Sequence, residues 1–122
     1  MLHNANCPVE ATLELIGGKY KALILWHLAK GTLRFSQLRD QIKGVTPKML
    51  TQQLRELEAQ SLIHREVFAI VPPKVEYSLT ELGQSLMPLL VAMRDWGSNY
   101  LRTKSVEPNC FMVGSDPLPQ NS

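Results

Sequence analysis

Between Ala22 and Ala29 the chain reads ALILWHLA, apolar on nearly every side of any helix it forms. Such a helix is stable only at the centre of a domain or at an interface, because no face of it gains from contact with water. Gly31 supplies its stop. The rest of the 122 residues must therefore be arranged around this hub, and 44% hydrophobic content is enough for one modest core. No apolar run approaches the ~18 residues of a membrane span, so a single soluble domain without a membrane segment is expected.

Three further helices are predicted around the hub on its flanks. CPVEATLELIGG places Pro8 at a first helical position, Val9, Leu13 and Ile16 on one stripe, and Gly17-Gly18 as the stop. TLRFSQLRDQIKG spaces Phe35, Leu38 and Ile42 for a helix that ends at Gly44. The link GVT then leads into TPKMLTQQLREL, where Thr46 caps a first-turn N–H and Pro47 begins the helix without losing a hydrogen bond. Two short helices joined by a tight glycine-containing link form a helix-turn-helix pattern.

The second of these helices has two unlike faces. At roughly 100° per residue, Leu50, Leu54 and Leu57 share a narrow stripe, while Lys48, Gln52 and Arg55 point the opposite way with Met49 and Thr51 on their flanks. The acids Glu56 and Glu58 come only after the first two turns. An ordinary solvated face mixes acids with bases from its start. Lys, Arg, Gln and Thr are side chains that reach phosphates and base edges, so this face fits a recognition helix entering a major groove by its N-terminal end. A surface helix that happens to lack early acids fits the stretch too. The net charge of +2 names no partner, but its distribution does more: from Lys19 to Lys48 the cations Lys19, Lys21, Lys30, Arg34, Arg39, Lys43 and Lys48 face a single acid, Asp40.

After Gln60 the period changes. Leu62 to Val67, and Val75, Tyr77 and Leu79 in alternation, predict two strands joined by FAIVPPK, whose double proline suits a loop. The short TLR before Phe35 is a candidate third strand. Thr80 then caps a last helix in which Leu82, Leu86, Leu89, Met93, Trp96 and Tyr100 step by 4, 3, 4, 3 and 4, the spacing of a seam between two helices. Pro88 is expected to kink this helix. From Thr103 the sequence TKSVEPNCFMVGSDPLPQNS has no periodicity, so residues 1–102 are expected to form the domain and 103–122 a loose tail. The fold predicted is mainly α with a small β-hairpin wing, a winged helix-turn-helix, dimeric through its N- and C-terminal helices.

The segments CPVEATLELIGGKYKALILWHL, RFSQL, TPKMLTQQLRELEAQSLIHREV, VPPKVEYSLTELGQSL and MRDWG occur in the order and spacing of a known family. In these the chain resembles the HxlR-type winged-helix transcriptional regulators of bacteria, over roughly Cys7 to Tyr100. The resemblance implies a homodimeric DNA-binding regulator related in fold to the MarR regulators, with the helix from Pro47 to Gln60 in the major groove and the 69–74 loop as the wing. Two positions depart from the pattern. Tyr20 stands where many members carry Trp, which keeps an aromatic anchor, and Thr46-Pro47 replaces a commoner polar pair, which keeps the helix start and alters its tip. On this basis Lys48, Gln52 and Arg55 are the expected readout residues, with Met49 and Thr51 close to bases or sugar and Thr46 near phosphate. Arg34, Ser36 and Lys74 are expected to contact the backbone of double-stranded DNA.

Other chemistry fits poorly. Gly17-Gly18-Lys19 is not a phosphate loop, because that motif needs Gly at 13 and Ser or Thr at 20 after a strand, and here stand Leu13, Tyr20 and a helix. His3, His27 and His64 are scattered without metal-ligand spacing, and His27 on the hub is expected to be a hydrogen-bonded core residue. Neither catalytic residues, nor a metal, nor a cofactor is expected. The competing class is a winged helix that binds protein and has lost sequence-specific DNA binding, since fold alone does not fix function. The N-terminus lacks the pattern of an export signal, so a cytoplasmic, reducing location is expected. There Cys7 and Cys110 would be thiols. Cys7, biased by Pro8 to the extended conformation of an N-cap, would sit at a helix N-terminus where the dipole favours a thiolate. Several members of the resembled family use a cysteine at this position to sense oxidants or electrophiles, which makes Cys7 a candidate redox sensor. A purely structural cap accounts for it as well. Cys110 is a candidate resolving partner only if the tail folds back.

Overall fold

The computed structural model describes residues 6–108. The elements run α1 (Pro8–Ile16), α2 (Lys21–Ala29), β1 (Leu33–Arg34), α3 (Phe35–Gln41), α4 (Pro47–Ala59), β2 (Ile63–Phe68), β3 (Lys74–Leu79), α5 (Glu81–Gln84) and α6 (Met87–Thr103). The three strands form one antiparallel sheet in the order β1-β3-β2. Leu33 pairs with Tyr77, and Ile63 through Phe68 pair with Leu79 through Lys74. The candidate third strand is therefore real, and it ties the start of α3 to the wing.

The apolar hub lies where its composition requires. Ile24, Leu25 and Trp26 of α2 are wholly buried, and Leu38, Leu50, Leu54, Leu57, Leu62 and Leu90 close round them from α3, α4, the β2 approach and α6. Burial of this stripe is what holds α4 in place, and cutting Leu54 back to Ala would cost about 2–5 kcal/mol. The helix begins as expected: Thr46 is extended, and its Oγ1 accepts from the Met49 N–H at 3.1 Å. Past its C-cap Gln60 the chain turns away at Ser61, whose φ of 64° lets the Leu62 N–H reach the Leu57 carbonyl while the Ser61 N–H reaches the Glu58 carbonyl, both at 3.0 Å.

The link between α3 and α4 is pinned from the hub side. Gly44 takes φ +83°, a left-handed conformation that glycine adopts without steric cost. Its carbonyl accepts a hydrogen bond from the Tyr20 hydroxyl at 3.1 Å, and Tyr20 is itself buried.

The C-terminal region departs from expectation. Instead of one helix kinked at Pro88, there are two: α5, capped by the Thr80 hydroxyl on the Gly83 N–H, and α6, in which Pro88 sits in the first turn. A proline at the start of a helix loses no hydrogen bond, so the chain breaks before it rather than bending at it. Gly83 is needed for the tight docking of α5, since any Cβ there would collide with the Leu62 carbonyl. The six seam residues are thereby split. Leu82 lies on α5, Leu86 is the residue before α6 and packs on the core, and Leu89, Met93, Trp96 and Tyr100 remain together on exposed faces of α6. Helix α6 runs to Thr103, and the tail beyond 108, with Cys110, lies outside the described residues.

Candidate nucleic-acid interface

Helix α4 presents outward the residues its periodicity assigns there. Thr46, Pro47, Lys48, Met49, Gln52 and Arg55 are exposed and Thr51 is half-buried, while the leucine stripe is buried. Pro47, Lys48, Thr51, Gln52 and Arg55 line one shallow groove along the helix. A second depression of about 350 Å³ lies between α4 and the sheet, lined by Thr51, Arg55, Glu58, Arg65 and Tyr77 among others. Arg65 was missed in the sequence. Its signal was its place on a strand with an exposed face, next in the chain to the helix it flanks.

Of the residues expected at the DNA backbone, Arg34 and Ser36 are exposed at the start of α3, and the Arg34 N–H donates to Gln37 Oε1 at 2.8 Å. Lys74 opens β3 rather than ending the loop. Its Nζ lies 4.5 Å from the Phe68 ring centroid and 3.6 Å from Glu76 Oε2. The wing tip between the strands is apolar, with Ile70 half exposed and Val71 almost wholly so.

One member of the basic block does not belong to this surface. Lys21 is buried at 7% exposure, and its Nζ meets Glu56 Oε1 at 2.8 Å. The same carboxylate accepts from Gln52 Nε2 at 3.3 Å. Lys21 and Gln52 together hold the Glu56 carboxyl below the ordinary carboxylate range. A late acid on α4 is thus neutralised from within.

The other expected groups are placed as follows. Cys7 is the extended N-cap of α1, half-buried, and its side chain makes no capping hydrogen bond. Val9 and Leu13 of α1 are exposed, not in the core. Leu13 shares a cleft of about 490 Å³ with Leu23, Leu90 and Met93, so α1 and α6 border one apolar depression. Trp96 and Tyr100 stack with ring centroids 5.5 Å apart. His27 is buried, and burial followed by the nearby Lys30 charge pushes its pKa below 6.5, against a hydrogen bond with Gln41. No group of three potential metal ligands occurs among the described residues, and none of their helices is long and apolar enough to cross a membrane.

A three-stranded winged fold with an outward polar and cationic second helix defines the helix-turn-helix class of transcriptional regulators, not an enzyme. More narrowly, the chain belongs to the HxlR-like helix-turn-helix family, whose pattern matches residues 15–105. It is 55% identical over 95 residues to the HTH-type transcriptional regulator YdeP of Bacillus subtilis strain 168, covering 78% of this chain and 74% of that one. Among solved structures it is similar to the redox regulator HypR in its oxidized form, with TM-score 0.73 and 52% identity over 76% of this chain and 96% of that one. The reduced form of HypR gives TM-score 0.76 and 50% identity over 81% and 99%.

Proposed function

We propose that the protein is a cytoplasmic homodimer that binds a pseudo-palindromic operator, and that residues 1–102 form the DNA-binding and dimerisation domain. The observation that carries this is the outward face of α4, where Lys48, Met49, Gln52 and Arg55 are exposed beside a capped N-terminus and a wing. Those side chains suit phosphates and base edges, and a helix N-terminus adds its own attraction for phosphate. The dimer half of the proposal rests on apolar surface left open by a single chain. Leu89, Met93, Trp96 and Tyr100 on α6 and Val9 and Leu13 on α1 are exposed, and Leu13 and Met93 border the same cleft. Apolar surface of this kind marks an interaction site. The test is binding to genomic fragments at graded salt, because counterion release makes the affinity of a DNA-binding protein fall steeply with ionic strength. Salt-insensitive or absent binding would favour a protein-interaction module.

Regulation through Cys7 is the second part of the proposal. The thiol sits at the α1 N-terminus, on the helix assigned to the dimer contact, and a relative of 52% identity is named a redox regulator. An oxidant or electrophile acting there would shift α1 against α6 and change the spacing of the two reading helices. Both heads must fit one duplex, so a small rotation forfeits one half-site and with it an effectively intramolecular contact.

A further inference from the structure

Two helices, α2 and α4, meet at Glu56 in a way that operator binding alone does not require. Its Oε1 takes the buried Lys21 ammonium of α2 at 2.8 Å, and its Oε2 takes the Gln52 side chain one turn earlier on α4 at 3.3 Å. An ionised carboxylate only accepts hydrogen bonds, so Gln52 must turn its NH₂ and not its oxygen towards it. That fixes which way round the amide lies. One of the two N–H groups is used by Glu56, and the other N–H and Oε1 are left as an oriented donor and acceptor on the exposed face.

Adenine presents the complementary pair in the major groove, an N7 acceptor beside an N6 donor, and a glutamine amide matches both at once. We propose that Lys21 and Glu56 are positioning residues that lock the Gln52 amide in one orientation, so that α4 selects an A·T pair at the base step Gln52 faces. This rests on the operator-binding proposal and adds a specificity mechanism to it. The buried lysine has two effects. It holds the Glu56 carboxylate, an acceptor-only group, in place beside Gln52, and it offsets a negative charge that would otherwise face the phosphates. With that constraint removed, the amide is free to turn over and offer oxygen where it offered N–H, which suits other base edges equally well.

The experiment compares parent, Gln52→Ala, Glu56→Gln, Lys21→Arg and the double variant Lys21→Met/Glu56→Gln on operators varied one base pair at a time, with a salt titration and a thermal melt for each. Glu56→Gln is nearly isosteric, but an amide at that position donates as well as accepts and no longer dictates the orientation of Gln52. The double variant removes both charges together, so no lone buried ammonium compromises folding. Expected for the parent is a preference of about tenfold or more for A·T at one position per half-site. Gln52→Ala, Glu56→Gln and the double variant each reduce it below about threefold at that position alone, with the parent's salt slope. Lys21→Arg retains it. An unchanged preference in Glu56→Gln overturns the proposal. So does a loss spread evenly over all positions together with a lowered melt, which identifies the pair as structural. A parent that binds DNA with salt dependence but prefers no base at that step overturns the adenine assignment, whereas a parent that binds no DNA removes the operator reading beneath it.

Discussion

The Tyr20 hydroxyl donates to the Gly44 carbonyl across 3.1 Å, joining the start of the hub helix to the turn between α3 and α4. Gly44 holds a left-handed conformation, and a side chain there would come within 3.3 Å of that same hydroxyl. The turn of the helix-turn-helix is thus set both by its own glycine and by a phenol from another element. Tyr20→Phe keeps the ring and leaves the carbonyl without this donor. It should lower stability by about 0.5–1.5 kcal/mol, read as a drop in denaturant midpoint at unchanged slope. No drop would show that solvent replaces the phenol at no cost.

Readout is expected to concentrate on α4. Arg55→Ala and Gln52→Ala should each lose about 1–3 kcal/mol of specific binding and relax sequence choice. Arg34, Ser36 and Lys74 are assigned to backbone, so Arg34→Ala and Lys74→Ala should weaken all sequences alike and reduce the salt slope by roughly one unit per lost contact. Titrations of operator and scrambled duplex separate the two patterns. Parent-like operator binding by both Arg55→Ala and Gln52→Ala would move the reading surface elsewhere.

The assembly prediction concerns the stacked pair on α6. Trp96 is 70% exposed in the single chain, which is costly surface for a free monomer. Light scattering should find a dimer at micromolar concentration, and Trp96→Ser with Met93→Ser should shift it to monomer. In the dimer the reading helices should lie about 34–36 Å apart, matching half-sites one helical turn apart. A monomeric parent would remove the basis for this geometry.

Cys7 is tested by chemistry. Parent and Cys7→Ser proteins are treated with diamide or a quinone and operator binding is followed, with Cys110→Ser as control. The parent should lose affinity by orders of magnitude and Cys7→Ser should not respond. Equal responses of the two proteins would make Cys7 a structural residue and place the signal elsewhere.

His27 gives a pH dependence whose sign is fixed. Its folded pKa lies below the unfolded value of 6.5, chiefly through burial. The unfolded chain therefore binds the proton more readily, so this stability is fully present above pH 6.5 and is lost as pH falls through that value towards the folded one. Melting temperature followed from neutral pH downward should decline, and His27→Gln should flatten that part of the curve. An identical decline in both proteins would assign the effect to other groups.

The Thr46-Pro47 start, the leucine stripe of α4 and the hub were legible in the sequence because each rests on interactions within a few residues. Lys21 was not. As one of seven cations in a block it looked solvated, and only the fold brings Glu56 of a later helix beside it. Pro88 was misjudged for a related reason: the regular apolar spacing runs across a chain break, and spacing alone does not distinguish one helix from two in sequence. Val9 and Leu13 carry a core-like pattern yet face outward, since a pattern states that a face is apolar without naming what covers it.

The pairing of Leu33 with Tyr77 closes a loop that contains α3, α4 and β2 entire. Closing a loop costs chain entropy before any contact repays it, whereas each helix forms from neighbours in sequence. The two-residue strand β1 is therefore expected to join the sheet late, once the segments between have compacted and shortened the path between its ends. The strand is in this sense a clasp on the reading head. Opening this clasp would free the α3 start from the sheet while the β2–β3 hairpin stays paired.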